Sequence, residues 1–436
     1  MRIKPAQRVL GRLKIPGDKS ISHRAAIIAG VSAGASRLRN FSTSQDCAAT
    51  LSCLRQLGVV IEHDGSDVRL ESAGVLSAPS ATLDCGNSGS AMRMLAGVLA
   101  GQPFSATLMG DESLQSRPMR RIIEPLELMG AVVLSEKDRP PLRITGSASL
   151  RPISYRLPVA SAQVKSCILL AGLNAGGRTE ILEKTPTRDH TERMLQWFGA
   201  LLEITRSADP SATRIAIDGP VHLGARDVSV PGDISSAAFF IAAAALLPES
   251  NLMIEDVGLN PTRTQFLRVL SSMGAEIETE NIRDECNEPV GTVKVRAVSS
   301  GFMAKIKERC VISGAMIPAL IDELPLLAVV GTQIEGGIEI REAAELRVKE
   351  TDRIAATVAN LRAMGADVEE HEDGLAVKGP ARLRGAMLDS YGDHRIAMAF
   401  AVAALMAEGE SEIREPECVA VSFPDFFERL ESIVQR

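Results

Sequence analysis

Leu54-Arg55-Gln56-Leu57-Gly58, followed by Val59-Val60-Ile61-Glu62, reads as the last turn of an amphipathic helix, a glycine that stops it, and a short strand. The signature Leu-x-x-(Leu/Met/Phe)-Gly returns as Leu126/Met129/Gly130, Leu195/Phe198/Gly199, Leu270/Met273/Gly274 and Leu361/Met364/Gly365, at intervals of roughly 70 to 90 residues. Glycine suits that stop because the residue after the helix takes a left-handed conformation that other side chains resist. A degenerate sixth copy ends the chain, with Leu430 and Ile433 in register and Val434 in place of glycine.

Each unit also carries a second helix that is apolar nearly all round, over 22–34, 89–101, 161–176, 234–247, 321–331 and 394–409. A helix without a polar face must be buried, so helices pack inside and sheets cover them. Units of about 70 residues group naturally into two three-unit domains, parted near Val230-Pro231-Gly232-Asp233. An open solenoid is the alternative, but its repeats run about 20 to 50 residues and need polar capping ends.

The composition agrees. A chain of 436 residues exceeds one ordinary core, and 45% hydrophobic with 24% charged residues leaves no sign of extended disorder. A net charge of -7 and 3% aromatics argue against nucleic acid as a partner, by counterion release or by base stacking. The seven cysteines form no CxxC pair and read as reduced thiols in a cytoplasmic protein, with neither disulfides nor a zinc site. No apolar stretch approaches the roughly 20 residues of a membrane span, and no signal segment opens the chain.

The buried helices start with small or polar residues: Gly17-Asp18-Lys19-Ser20, Gly86-Asn87-Ser88-Gly89, Ala160-Ser161-Ala162-Gln163, Gly232-Asp233-Ile234-Ser235 and Gly392-Asp393-His394-Arg395. Plain N-capping explains any one of them. Such starts also hold anions, and cations stand beside several: Lys19, Arg24, Arg117, Lys165 and Arg395. Converging guanidinium groups imply a small, multiply anionic ligand, each charge-assisted bond being worth about 1.5 to 3 kcal/mol. It is not a Walker loop: five residues separate Gly11 from Gly17, and Asp18 intervenes before Lys19.

Leu346-Arg347-Val348-Lys349-Glu350-Thr351-Asp352-Arg353 reads as the opening of the fifth unit's helix, with Lys349 and Arg353 on one face and Asp352 able to cap. A salt-bridged solvated face is the plain reading of that run alone. With Asp322, at the edge of the apolar helix 321–331, it supplies carboxylates and an ammonium suited to proton transfer.

These runs, with Ser116-Arg117-Pro118 and Asp393-His394-Arg395-Ile396-Ala397-Met398, occur in an order that closely resembles the 5-enolpyruvylshikimate-3-phosphate synthase family, from Lys19 to Phe423-Pro424. Ser161-Ala162-Gln163 and Arg188-Asp189-His190-Thr191 resemble its class II bacterial branch. The resemblance implies two inside-out α/β barrel domains of three βαβαββ-type repeats each, 1–16 with 232–436 and 17–231, the active site lying in the cleft between them. It implies transfer of the enolpyruvyl group of phosphoenolpyruvate to the 5-hydroxyl of shikimate 3-phosphate, by a cytoplasmic monomer with no metal or cofactor, inhibited by glyphosate.

Carried over residue by residue, Lys19, Ser20, Arg24, Ser161, Ala162, Gln163, Arg188, Asp322 and Lys349 are expected to hold shikimate 3-phosphate. Lys19, Asn87, Gly89, Arg117, Gln163, Arg353, His394 and Arg395 are expected around phosphoenolpyruvate. The implied catalytic groups are Lys19, Asp322 as base, and Lys349 and Glu350 as proton shuttles. Ala162 lacks the hydroxyl of the more usual Ser-Ser-Gln, Val421 stands where many relatives have Lys, and Glu345 where Asn is common. Val421 and Glu345 are given no contact.

Rival readings are a UDP-N-acetylglucosamine enolpyruvyl transferase, a non-catalytic anion-binding repeat protein and a nucleotide-dependent kinase. Against the first, the loop 111–117 has no cysteine.

Overall fold

The computed structural model describes residues 1–206, 212–297 and 309–436. The chain separates into two compact units, one of Gly17–Val230 with Asp284–Glu288, the other of Met1–Pro16, Pro231–Arg283 and Pro289–Arg436. These bounds differ from the sequence expectation at two points. Pro231 joins the second of these units, and Asp284–Glu288 joins the first because Glu288 meets His190 Nδ1 there at 2.7 Å, both side chains buried.

The first unit contains helices α1 (Lys19–Gly30), α2 (Gln45–Gln56), α3 (Gly89–Ala100), α4 (Glu112–Ser116), α5 (Arg120–Leu128), α6 (Ala162–Gly172) and α7 (His190–Trp197). Among the described residues it has three four-stranded sheets, which share one order. In one of them Leu83–Asp84 runs parallel to Ser105–Met109, which pairs antiparallel with Arg139–Thr145, and Val132–Glu136 closes the edge. The sheet around Ala33–Arg39 repeats this, but takes its parallel edge strand from Val228–Ser229, at the far end of the unit. The last repeat thereby closes onto the first.

The second unit contains α8 (Ile234–Leu246), α9 (Gln265–Ser272), α10 (Ile317–Leu320), α11 (Leu324–Gly331), α12 (Arg353–Ala363), α13 (His394–Leu405) and α14 (Phe426–Ile433). Among the described residues three sheets accompany them. The one around Ile338–Ile340 keeps the same order, and the largest adds the terminal strand Val434–Gln435 beside Arg8–Lys14.

Each unit has one continuous apolar core, in which α1, α3, α6, α8, α11 and α13 are buried along most of their length. At about 1.5 to 3 kcal/mol per large side chain fully buried, that packing outweighs the modest helix propensity of these sequences. Close approach needs small residues: a Cβ on Gly97 of α3 would lie 2.2 Å from the Cys167 carbonyl oxygen of α6. The amphipathic helices end as the repeat predicts, with Gly58, Gly130, Gly199, Gly274 and Gly365 all at positive φ. Among the described residues no single helix is long and apolar enough to cross a membrane.

Two expected elements differ. Helix 321–331 begins only at Leu324, and Asp322 lies in a turn between α10 and α11, which are bent by 109°. Pro325 has no N–H for the Ile321 carbonyl and its ring would clash there, so a continuous helix is broken at that point. The run 346–353 is not a helix opening at Leu346. Ala344–Val348 forms a 3-10 turn, and α12 starts at Arg353 because Asp352 Oδ1 accepts from the backbone N–H groups of Ile354 and Ala355. Lys349 and Arg353 therefore share no helix face.

Candidate active site

In the first unit, Asp18 caps α1 by accepting from the Ile21 N–H at 2.8 Å, leaving Lys19 and Ser20 in the first turn. Lys19 Nζ donates to Asp46 Oδ2 at 2.7 Å, and its side chain keeps 16% of its exposure. Arg24 is buried, its guanidinium held by Thr191 Oγ1 at 2.7 Å, Ser166 Oγ at 3.0 Å and the Ser20 carbonyl at 2.8 Å. One arginine thus fixes α1 against α6 and α7. His23, wholly buried, meets Thr50 Oγ1 at 2.7 Å and Ser88 Oγ at 3.4 Å. Burial, then the charges of Lys19 and Arg24, push its pKa down to about 3. A neutral imidazole therefore joins the starts of α1 and α3 to α2.

At α3, Asn87 Oδ1 accepts from Arg117 Nη2 at 3.0 Å while its Nδ2 donates to Asp111 Oδ2 at 2.8 Å. The loop carrying Arg117 is thereby tied to the glycine-rich turn. Gln163, in the first turn of α6, accepts from Arg93 Nη1 at 2.6 Å and donates to Ser90 Oγ at 2.8 Å. A Cβ on Gly89 would lie 2.7 Å from Arg93 Nη1 and 3.3 Å from Arg117 Nη1, so Gly89 marks the place where both cations crowd the helix start. Ser161 caps α6, accepting from the Val164 N–H at 3.3 Å, with Ala162 half-buried beside it. Arg188 is half-buried between Gly177–Glu183 and α7.

Lys165 belongs elsewhere. The sequence reading sets it among the cations beside the helix starts, whereas in the fold it is wholly buried, 2.7 Å from Glu192 and 3.2 Å from Glu183. Burial alone would lower its pKa, and the two carboxylates more than reverse that. Two positions along a helix is about 200° of rotation from Gln163, which turns Lys165 into the core.

In the second unit, Arg353 is 1% exposed and is clasped by carboxylates. Its Nε donates to Asp393 Oδ2 and its Nη2 to Glu350 Oε2, at 2.8 and 2.7 Å, while Nη1 stands 3.6 Å from Asp322 Oδ1. Burial would push this guanidinium down; Asp393, Glu350 and Asp322 hold it up. Arg395 Nη2 lies 3.7 Å from Asp322 Oδ2, and its Nη1 donates to the Asp322 carbonyl at 3.3 Å. His394 is buried beside it. Lys349 lies 3.8 Å from Glu345, and desolvation by the surrounding protein sets its pKa below that of an ordinary lysine, opposed by Glu345 and Asp322 and assisted by Arg353. Arg347 anchors the preceding turn through Asp352, Glu370 and the His371 and Glu372 carbonyls.

This second set combines a carboxylate between two guanidinium groups with a lysine that gives up its proton more readily than usual. That is equipment for moving protons next to bound anions. Sequence reading missed Arg93, Asp46 and Arg263. Arg93 was within reach of it, lying four positions after Gly89 on one helix face; the other two meet their partners only through long-range folding.

The family model described as EPSP synthase (3-phosphoshikimate 1-carboxyvinyltransferase) matches residues 3–430. The chain is 50% identical to the 3-phosphoshikimate 1-carboxyvinyltransferase of Koribacter versatilis (strain Ellin345), covering 100% of this chain and 99% of that protein. It is 48% identical to the enzyme of the same name from Solibacter usitatus (strain Ellin6076), again over 100% and 99%. A solved EPSP synthase from Acinetobacter baumannii matches with a TM-score of 0.85 at 39% identity, over 99% of this chain and 98% of that one. The fold is therefore the inside-out α/β fold of those enzymes, and the chain belongs to the EPSP synthase family.

Proposed function

We propose that this protein transfers the enolpyruvyl group of phosphoenolpyruvate to the 5-hydroxyl of shikimate 3-phosphate and releases phosphate, as part of the shikimate route to aromatic amino acids, in the cytoplasm and as a monomer. The observation that carries this reading is Asp322 held between Arg353 and Arg395, with Lys349 of lowered pKa in the same electrostatic neighbourhood. Family membership sets aside the UDP-N-acetylglucosamine transferase and the non-catalytic reading.

In the proposed chemistry, Lys19, Ser20, Arg24, Ser161, Ala162, Gln163, Arg188 and Lys349 receive shikimate 3-phosphate. Lys19, Asn87, Gly89, Arg117, Gln163, Arg353, His394 and Arg395 receive phosphoenolpyruvate, whose carboxylate and phosphate suit guanidinium forks. Asp322 takes the proton of the 5-hydroxyl as its oxygen bonds to C2 of the enol, while Lys349 or Glu350 delivers a proton to the CH2 carbon. The resulting ketal carries a methyl group. Loss of a methyl proton back to the protein, with cleavage of the C2 to phosphate-oxygen bond, restores the double bond and frees phosphate. Glyphosate, a small anion that competes for the same cations, is the inhibitor this site should accept.

The 5-hydroxyl is the test. Shikimate 3-phosphate should drive phosphate release from phosphoenolpyruvate, and its 5-deoxy analogue should not. Release with the analogue would overturn the reading.

A further inference from the structure

At the start of α8 lies a buried cation that the transfer chemistry does not use. Arg263, in Asn260-Pro261-Thr262-Arg263 after the strand Asn251–Gly258, is only 4% exposed. Its Nη2 donates to Ser235 Oγ at 2.7 Å and stands 3.3 Å from Asp233 Oδ1, both residues belonging to the start of α8. A hydroxyl oxygen that accepts from a guanidinium turns its own hydrogen elsewhere. Here the Ser235 hydroxyl donates to Glu323 Oε1. Glu323 is buried, adjacent in the chain to Asp322, and the same Oε1 lies 3.7 Å from Arg395 Nη1.

Two groups thus face one carboxylate oxygen, at different ranges. The hydroxyl is in hydrogen-bond contact, whereas the Arg395 guanidinium is held beyond it. A buried carboxylate deprived of the hydroxyl would draw the guanidinium in, because a closed ion pair gains most where water is scarce. Arg395 would then be committed to Glu323 and taken from its looser place near Asp322, 3.7 Å away.

We propose that Arg263 is a positioning residue: through Ser235 it keeps Glu323 satisfied by a hydroxyl, and so keeps the Arg395 guanidinium available to the anion of phosphoenolpyruvate. This rests on the role given to Arg395 above.

The test is steady-state phosphate release by the unmodified protein, Arg263→Gln, Arg263→Lys, Ser235→Ala and the Arg263→Gln/Ser235→Ala double variant. Arg263→Gln and Ser235→Ala should each raise KM for phosphoenolpyruvate roughly tenfold, the scale of one charge-assisted hydrogen bond, with kcat and KM for shikimate 3-phosphate changed by less than about threefold. The double variant should be no worse than the worse single one, since both break one relay, and Arg263→Lys should recover part of the loss. Ser235→Ala removes a single oxygen and carries the test if Arg263→Gln does not fold. No phosphate release by the unmodified protein would remove the functional reading, and the relay with it. Release with an unchanged KM for phosphoenolpyruvate in a folded Ser235→Ala protein, or additive losses in the double variant, would overturn the relay alone.

Discussion

Arg353 Nε donates to Asp393 Oδ2 at 2.8 Å across 40 residues of sequence, so the carboxylate that caps α13 also fixes the guanidinium that opens α12. Asp393 Oδ1 accepts from the Arg395 N–H at 2.8 Å, and one side chain therefore sets the starting points of both cations that flank Asp322. The flanked carboxylate is where the proposed chemistry begins.

Asp322→Asn keeps the shape of that side chain and removes its basicity. Turnover should fall by about a hundredfold or more, the usual worth of a general base, with both KM values within a few-fold. Stopped-flow or steady-state rates that show a KM effect and an intact kcat would assign Asp322 to binding instead.

Lys349 should give the proposed reaction a basic limb. Its pKa lies below the ordinary 10.5, so as pH rises the ammonium is lost earlier than on a free lysine, and activity should fall through that lowered pKa. In Lys349→Arg the cation persists to higher pH, and the limb should move alkaline in a kcat/KM profile. An unmoved limb would assign it to another group.

Gly89→Ala places a Cβ 2.7 Å from Arg93 Nη1, so Arg93 must swing away from Gln163. KM for phosphoenolpyruvate should rise several-fold, and glyphosate, whose carboxylate and phosphonate are joined by a longer link than the carboxylate and phosphate of phosphoenolpyruvate, should weaken by more. Inhibition curves that coincide with those of the unmodified protein would refute the steric account.

His23 makes stability depend on acid. In the unfolded chain it takes a proton as pH falls through 6.5, but in the folded protein only near 3, so between those values the unfolded state binds more protons and stability drops as pH drops. The slope from this residue is about 1.4 kcal/mol per pH unit. Urea unfolding of His23→Gln at pH 7 and pH 5 should lose close to that slope; a slope equal to the unmodified protein's would show that His23 titrates normally.

Legibility followed locality. The repeat could be read because its marks are carried by neighbouring residues: a glycine at positive φ after each amphipathic helix, and Asp18, Ser88, Ser161, Asp352 and Asp393 each accepting from a backbone N–H within three positions. The misreadings came from partners that sequence distance hides. Lys165 stands two places from Gln163 but answers to Glu183 and Glu192 on other elements. Arg24 and Thr191 are 167 positions apart, and Arg263 reaches Ser235 across 28 positions, with the strand Asn251–Gly258 between them. Pro325 was the local signal that could have broken helix 321–331 in advance.

The most direct test of the function is phosphate release measured with each substrate alone and with both, in buffer free of added metal. The account predicts no release from phosphoenolpyruvate alone, steady release once shikimate 3-phosphate is added, and one enolpyruvyl ether formed per phosphate. Absence of release with both substrates present, or release that does not require shikimate 3-phosphate, would contradict it.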